Sequence, residues 1–409
     1  MKTYIFIIRR MTNITGAQQY VYNKMKFLEN QGWRVLIFSS VRGEILIHDF
    51  RRYENLILPT LYFTPYYYKK KEVNFTINKI LDTIGEVNGR DCIVESDSFS
   101  RAVWAELIAK RLNCRHLSLL VQENHKPDKM ARDFLRFKYD RHELAGIASE
   151  TITQIFNDPS VQFREDARFH AYCNNVIEDC ADTYSEMLDK NADYTLGSLG
   201  RLSKACVPHI VDGFCAYASD HPDKLFNVVM IGGPLSQKKF LKEKLDRCSN
   251  VNSIFTNNMY PVPKSFIEKF DVFVSTAGAA TATYLAGSPT VKVNPLDGNP
   301  VGIIGLDFNQ KSMYDSTSDF TIADCIDRAI KRRSEINFSR SLDSGYHDRM
   351  QKEFCRQLSF IEGVSTNEYY NEKLLMKMKS KSHYPNSLLW LLGHVSSEFQ
   401  SRILKIKKF

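Results

Sequence analysis

Short unbroken apolar runs alternate with longer amphipathic stretches along almost the whole chain. Residues 4–8 form one such run, the signature of a strand buried on both faces of a parallel sheet. Val21, Met25 and Leu28 then recur at helical spacing until Gly32, and residues 35–39 make a second run. Strands are predicted again at 92–95, 117–122 and 144–149. Helices are predicted over 76–84, 101–112 and 134–143, and from Glu150 through Phe156. After a polar stretch at 174–193 the alternation resumes, with strands at 194–199, 226–231, 252–255, 272–275 and 290–294. Helices lie between them, and two more cover 322–333 and 346–361. Strand and helix alternating in this way predict an α/β chain with parallel sheets. The polar stretch divides it into domains at 1–185 and 186–345, followed by C-terminal helices and a basic tail at 346–409.

The unit at 194–235 carries the sharpest chemistry. Its first strand ends in Gly200-Arg201-Leu202, with Lys204 three residues after the arginine. A helix follows with Ile210, Phe214 and Tyr217 on one face, and His221-Pro222-Asp223 breaks it. The next strand ends in Gly232-Gly233-Pro234. Ligands of open α/β sheets sit at the carboxyl ends of strands. A fixed arginine and lysine at that end suit a diphosphate, which needs donors and positive charge.

The chain has 409 residues, enough for two cores, with ordinary apolar and charged shares of 43% and 25%. Nine cysteines occur without a CxxC pair or zinc spacing, which reads as reduced, buried thiols and no metal. The N-terminus meets charge again at Arg9-Arg10, too soon for a signal peptide. No run nears the roughly 18–20 apolar residues of a membrane span. The net charge of +8 is modest, so its placement matters more than its sum.

These features resemble the GT-B glycosyltransferases of the large family 4 type. Besides 194–235, the resemblance rests on Thr15-Gly16-Ala17-Gln18 after the first strand and on His142-Glu143-Leu144-Ala145-Gly146. It continues in Glu268-Lys269-Phe270-Asp271-Val272, Ala286-Gly287-Ser288-Pro289-Thr290-Val291 and Asp297-Gly298-Asn299-Pro300-Val301-Gly302. It implies two doubly wound Rossmann-like domains facing a cleft. It also implies a glycine-rich loop at Thr15 and Gly16 near the donor phosphates, and a loop with Asn294 and Asn299 that meets the nucleotide. Thr15 with Gln18 further fits a capping box on the first helix. One departure stands out: enzymes of that family carry two glutamates eight apart, whereas here no Asp or Glu lies between Asp271 and Asp297. The segment Ser275-Thr276-Ala277-Gly278-Ala279 looks more like inverting GT-B enzymes of the lipid-linked N-acetylglucosaminyl type. There Thr276, Gly278, Thr281 and Thr283 are left to meet phosphate or ribose oxygens.

The implied reaction moves a sugar from a nucleotide-diphospho-sugar, UDP- or GDP-linked, to a glycan acceptor, lipid-linked, in cell-surface polysaccharide assembly. No metal or cofactor is expected. Arg201 and Lys204 would stabilise charge on the leaving diphosphate. His125 or Glu123 would be the base, with Glu95, Ser96 and Asp97 as further candidates. Residues 66–71, three tyrosines then three lysines, and the basic tail with Trp390 and Phe399, fit an anionic membrane surface. That places the protein in the cytoplasm, on the inner face of the membrane. Nucleic acid fits worse, since no recognition module accompanies the charge. Two alternatives stay open: a non-catalytic GT-B subunit acting through a partner, and a sugar-nucleotide epimerase on the same fold.

Overall fold

Tyr4, Ile5, Phe6 and Ile7 are fully buried, and they set the centre of the first sheet. The computed structural model describes residues 1–12, 14–120, 127–147, 155–156, 161, 164–173, 176–233, 235–309, 318–338, 345–364 and 368–379. The chain divides into two compact units: Met1–Tyr172 with the segment from Arg349 on, and Cys173–Asp348.

The first unit runs β1 (Thr3–Arg10), α1 (Gly16–Asn30), β2 (Arg34–Val41), α2 (Lys70–Ile84), β3 (Cys92–Ser96), α3 (Phe99–Leu112), β4 (Arg115–Leu120), α4 (Lys129–Asp140) and β5 (Leu144–Gly146). All neighbours are parallel, in the order β2-β1-β3-β4-β5. The chain thus builds outward from β1 in one direction, then returns to start β3 on the other side. Such a reversal opens a crevice at the carboxyl ends of the two strands.

Two buried polar networks brace this sheet. The Lys24 ammonium of α1 donates to Glu95 Oε2 at 2.6 Å, and the Tyr4 hydroxyl donates to the same oxygen at 2.5 Å. Farther along, His116 Nδ1 meets Glu106 Oε2 at 2.7 Å, and the Lys138 ammonium bridges Glu106 and Glu143 at 2.8 and 2.5 Å. Buried charges persist only when paired in this way.

The second unit runs β6 (Ile177–Glu178), β7 (Tyr194–Leu199), α5 (Val207–Asp220), β8 (Phe226–Ile231), α6 (Lys238–Leu245), β9 (Val251–Asn257), β10 (Val262–Pro263), α7 (Lys264–Ile267), β11 (Val272–Ser275), α8 (Ala277–Leu285), β12 (Thr290–Val293), β13 (Pro300–Ile303) and α9 (Ile322–Lys331). Its main sheet has the order β13-β12-β11-β7-β8-β9, with only β13 antiparallel, and β6 pairs with β10 apart from it. Here the reversal falls between β7 and β11. Phe266, Phe270 and Phe273 pack with Val229 and Ile231 in a core on one face. Helix α10 (Tyr346–Glu362) returns the chain to the first unit, where α11 (Glu372–Leu375) follows.

Several expectations needed correction. The Thr15 hydroxyl does not cap α1; it bonds Gln18 Oε1, while Gln18 Nε2 donates to the Arg10 carbonyl. Helix α2 starts at Lys70 instead of residue 76, because Glu72 Oε2 accepts the Lys69 N–H and opens the helix inside the lysine run. Tyr67 and Tyr68 are buried and not part of an aromatic surface. Glu95 is no strand-end base: it is shut inside the sheet by Lys24 and Tyr4. Residues 300–303, read as loop, form an edge strand. His125, Glu123 and the tail beyond Lys379 lie outside the described residues.

Candidate functional site

The loops after β7, β8 and β11 meet at the reversal of the second sheet. Gly200 closes β7 with φ +139°, and its N–H donates to the Ile231 carbonyl at 2.9 Å. Leu202 N–H donates to the Gly233 carbonyl at 2.8 Å, so the two loops are stitched together. Gly232 has φ +140°, and a Cβ there would stand 2.0 Å from the Gly200 carbonyl oxygen. Both glycines are therefore fixed by backbone shape, whatever they bind. Leu202 is buried and anchors the turn, which leaves Arg201 exposed beside it.

Lys204 folds back over this turn. Its Nζ lies 3.7 Å from the place of a Gly200 Cβ, and Ala279 Cβ of α8 lies 3.8 Å from the same point. Burial lowers the pKa of the lysine, and the like charge of Arg201 lowers it further. Among the described residues neither Arg201 nor Lys204 has a carboxylate partner. A half-buried ammonium left without an anion is costly unless a ligand supplies one.

The β11 side offers matching donors. Ser275 Oγ accepts the Leu199 N–H at 3.0 Å, which pins β11 to β7. Thr276 then stands at the N-cap of α8, buried, with a hydroxyl that has no hydrogen-bond partner among the described residues. Ala277 follows with φ +54°, a left-handed conformation that a non-glycine residue adopts only under constraint. The first-turn N–H groups of α8 have no partner within the helix, and Gly278 is exposed over them. The arrangement combines two cations, a free hydroxyl and a helix N-terminus at one sheet edge, a set that binds anions.

Other predicted contacts fall elsewhere. Thr283 is fully buried, and its hydroxyl bonds the Ala280 carbonyl at 3.1 Å and Thr290 Oγ1 at 3.0 Å, so it faces the fold and no ligand. Thr281 is half-buried and only loosely held, 3.5 Å from the Ala277 carbonyl. Asn294 Oδ1 accepts the Leu296 N–H at 2.9 Å and closes a turn, and the backbones of Asn294 and Asn299 pair at 2.9 Å. That turn still lies near the site, because Gly298 is packed against His209 in the first turn of α5. Thr15 and Gly16 belong to the first unit and stand near its own strand ends. Among the described residues no three His, Cys, Asp or Glu side chains gather as a metal site, and no helix is long and apolar enough to cross a membrane.

The sequence reading overlooked Ser275 as the tie between strands, and Arg9 and Arg101 at the reversal of the first sheet. Arg9 carried a usable signal: it closes an apolar strand much as Arg201 follows one.

No family model and no curated protein matches the chain. Solved structures do match it. A glycosyltransferase from Rickettsia africae aligns over 90% of this chain and all of its own, with a TM-score of 0.58 and 11% identity. Anabaena HepE, solved with UDP, aligns over 88% of this chain and 98% of its own, at TM-score 0.52 and 12% identity. S. aureus TarM, solved with UDP and α-GlcNAc-glycerol, aligns over 95% of this chain and all of its own, at TM-score 0.52 and 9% identity. The chain has the GT-B glycosyltransferase fold.

Proposed function

We propose that this protein is a glycosyltransferase that takes a sugar from a UDP- or GDP-linked donor and passes it to a lipid-linked glycan in cell-surface polysaccharide assembly. The observation that carries this reading is the half-buried Lys204 ammonium, without a carboxylate partner among the described residues, held at the β7 turn against which Ala279 in the first turn of α8 packs. Cleaving a nucleotide-sugar bond leaves negative charge on the diphosphate. On this reading Lys204, Arg201 and the α8 N–H groups stabilise that charge. The proposed role falls to these protein groups, with no metal invoked. HepE and TarM, which share the fold, were each solved with UDP.

A surface feature supports work at an anionic membrane. Lys69, Lys70, Lys71 and Lys79 are exposed on and beside α2, and Phe75 among them is 69% exposed. The Lys379 ammonium sits 5.4 Å from the centre of the Tyr66 ring, so the last described residue, where the basic tail begins, lies beside the triple lysine. Each such cation contributes about 1 kcal/mol at an anionic surface.

The test is a thermal-shift screen with UDP, GDP, dTDP and CMP, since a ligand that binds only native protein raises its melting temperature. UDP or GDP should stabilise the protein. Arg201→Ala should abolish that shift and slow transfer by about 2–4 kcal/mol in barrier. Stabilisation that is the same in Arg201→Ala as in the wild type would remove this site from the reading. A second reading, a non-catalytic GT-B subunit, is favoured by the carboxylate-free stretch 272–296. Nucleotide binding with no sugar transfer or donor hydrolysis would establish it.

A further inference from the structure

The reversal of the first sheet, between β1 and β3, holds a second charged cluster. Arg9 lies at the end of β1, and its N–H donates to Asp97 Oδ2 at 2.8 Å. Asp97 directly follows β3, and its Oδ1 accepts from the Ser98 hydroxyl at 2.8 Å and from Arg101 Nε at 3.4 Å. Arg101 is 7% exposed, and its Nη1 donates to the Tyr62 carbonyl at 3.0 Å. Among the described residues the Arg9 guanidinium reaches no carboxylate. It donates from Nη2 to the Tyr62 hydroxyl at 3.0 Å and lies 5.4 Å from the centre of that ring.

Two guanidinium groups therefore share one carboxylate, and that carboxylate is already spent on a backbone N–H and a hydroxyl. Burial lowers the pKa of Arg101, Asp97 opposes this, and the positive charge of Arg9 lowers it again. Among the described residues the cluster keeps one uncompensated positive charge, on a half-buried arginine stacked against a half-buried tyrosine. Its place is the carboxyl edge at a topological reversal, where open α/β sheets take ligands. Guanidinium supplies a planar fork for phosphate or carboxylate, and a tyrosine ring offers a face for a sugar.

We propose that Arg9, Tyr62 and Arg101 form the acceptor subsite, and that the acceptor is a sugar or glycan bearing an anionic group, phosphate or carboxylate. Arg9 grips that group, while Asp97 and Arg101 hold the Arg9 strand end in place. The inference rests on the glycosyltransferase reading above for the word acceptor, but the anion site stands on its own geometry.

Isothermal titration with glycerol 3-phosphate, glucuronate and glucose tests it, alongside UDP. The wild type should bind at least one anionic probe about tenfold more tightly than glucose, a difference that one charge-assisted fork readily supplies. A response to glycerol 3-phosphate alone assigns a phosphate, and a response to glucuronate alone assigns a carboxylate. Arg9→Ala should lose the anionic probe and keep UDP affinity; Arg9→Lys should retain part of it. Arg201→Ala should show the reverse, losing UDP and keeping the anionic probe. The proposal is overturned if glucose binds as well as both anions, or if Arg9→Ala binds the anions like the wild type. It is also overturned if Arg9→Ala loses UDP as Arg201→Ala does, which would make the cluster a donor-phosphate site. Absence of UDP binding in the wild type would sink the donor site alone, and the Arg9 comparison would still be readable.

Discussion

Gly232 and Gly200 approach so closely that a single methyl group on Gly232 would stand 2.0 Å from the Gly200 carbonyl oxygen. Gly232→Ala therefore has to push the β7 turn away, and at φ +140° it also strains its own backbone. The variant should lose about 1–3 kcal/mol of stability to overpacking. It should lose nucleotide binding by a larger factor, because the turn carrying Arg201 and Lys204 is displaced. Urea unfolding together with UDP titration checks both effects. Wild-type UDP affinity in the variant would show that this turn does not shape the site.

Lys204 makes binding sensitive to alkaline pH. Its pKa is lowered in the free protein, first by burial. A bound diphosphate would raise it again by supplying the missing counter-charge. Affinity is then greatest while the free lysine is protonated, and it falls as pH rises through the lowered free-protein pKa. UDP titrations between neutral and strongly alkaline pH should show this loss in the wild type. Lys204→Met should bind weakly and lose this dependence. A wild-type affinity that is level across the range would mean that the ammonium does not meet the ligand.

The pair of Lys24 and Glu95 predicts a stability effect remote from any ligand. Both side chains are within 3% of complete burial. Lys24→Met leaves Glu95 charged and buried, at a cost of about 3–5 kcal/mol. The double variant Lys24→Met/Glu95→Gln should recover much of that, since it removes both charges. Urea denaturation of the two variants gives the comparison. A single variant within about 1 kcal/mol of wild type would show that the network is replaceable at this point.

His116 predicts an acid limit. Burial, with the nearby Lys138 charge, lowers its pKa from 6.5 to about 4, despite its bond to Glu106. The neutral ring donates to Glu106 from Nδ1 and accepts the Ser96 hydroxyl at Nε2. The folded state thus resists a proton that the unfolded chain accepts. This contribution is complete above pH 6.5 and is lost as pH falls from there toward about 4. Glu106 adds to the loss at still lower pH: burial would raise its pKa, but Lys138 and His116 hold it well below the usual carboxylate range. Glu143 works the other way, its pKa raised by burial against Lys138. Stability should fall by up to ~1.4 kcal/mol per pH unit over the histidine range. His116→Asn should flatten the curve there, as read by urea unfolding at pH 5 to 7. Parallel curves for the two proteins would exclude the histidine as the source.

Where apolar runs end in glycine or a charge, sequence and structure agree closely. The strands at 194–199, 226–231 and 272–275 match residue for residue, because each is a short run, mostly apolar and without a charged residue, that is almost wholly buried in the sheet. Arg201, Lys204, Gly232, Gly233, Thr276 and Gly278 could be grouped as one candidate cluster because parallel strands bring their carboxyl ends to one edge. Thr283 could not be placed from its identity. A threonine can satisfy its hydroxyl on its own helix's carbonyls, and here it does, so its presence says nothing about a ligand. Lys24 and Lys138 were illegible for a related reason. A lysine marks an exposed position until its partner is known, and their partners, Glu95 and Glu106, lie 71 and 32 residues away. The short edge strand at 300–303 begins with proline, which masks it in a sequence reading.

The return of α10 to the first unit has a consequence for biosynthesis. Phe27 packs on Phe354 with ring centroids 5.5 Å apart, Tyr20 donates to Gln357 at 2.8 Å, and the His170 N–H donates to Glu353 at 3.0 Å. On the ribosome, residues 1–172 must wait for roughly half the chain to follow before these partners emerge. The second unit, Cys173–Asp348, is continuous and meets no such delay. The usual order, in which the N-terminal domain folds first during synthesis, is therefore inverted. The unit made second closes its core first, and the unit made first stays incomplete until α10 has emerged.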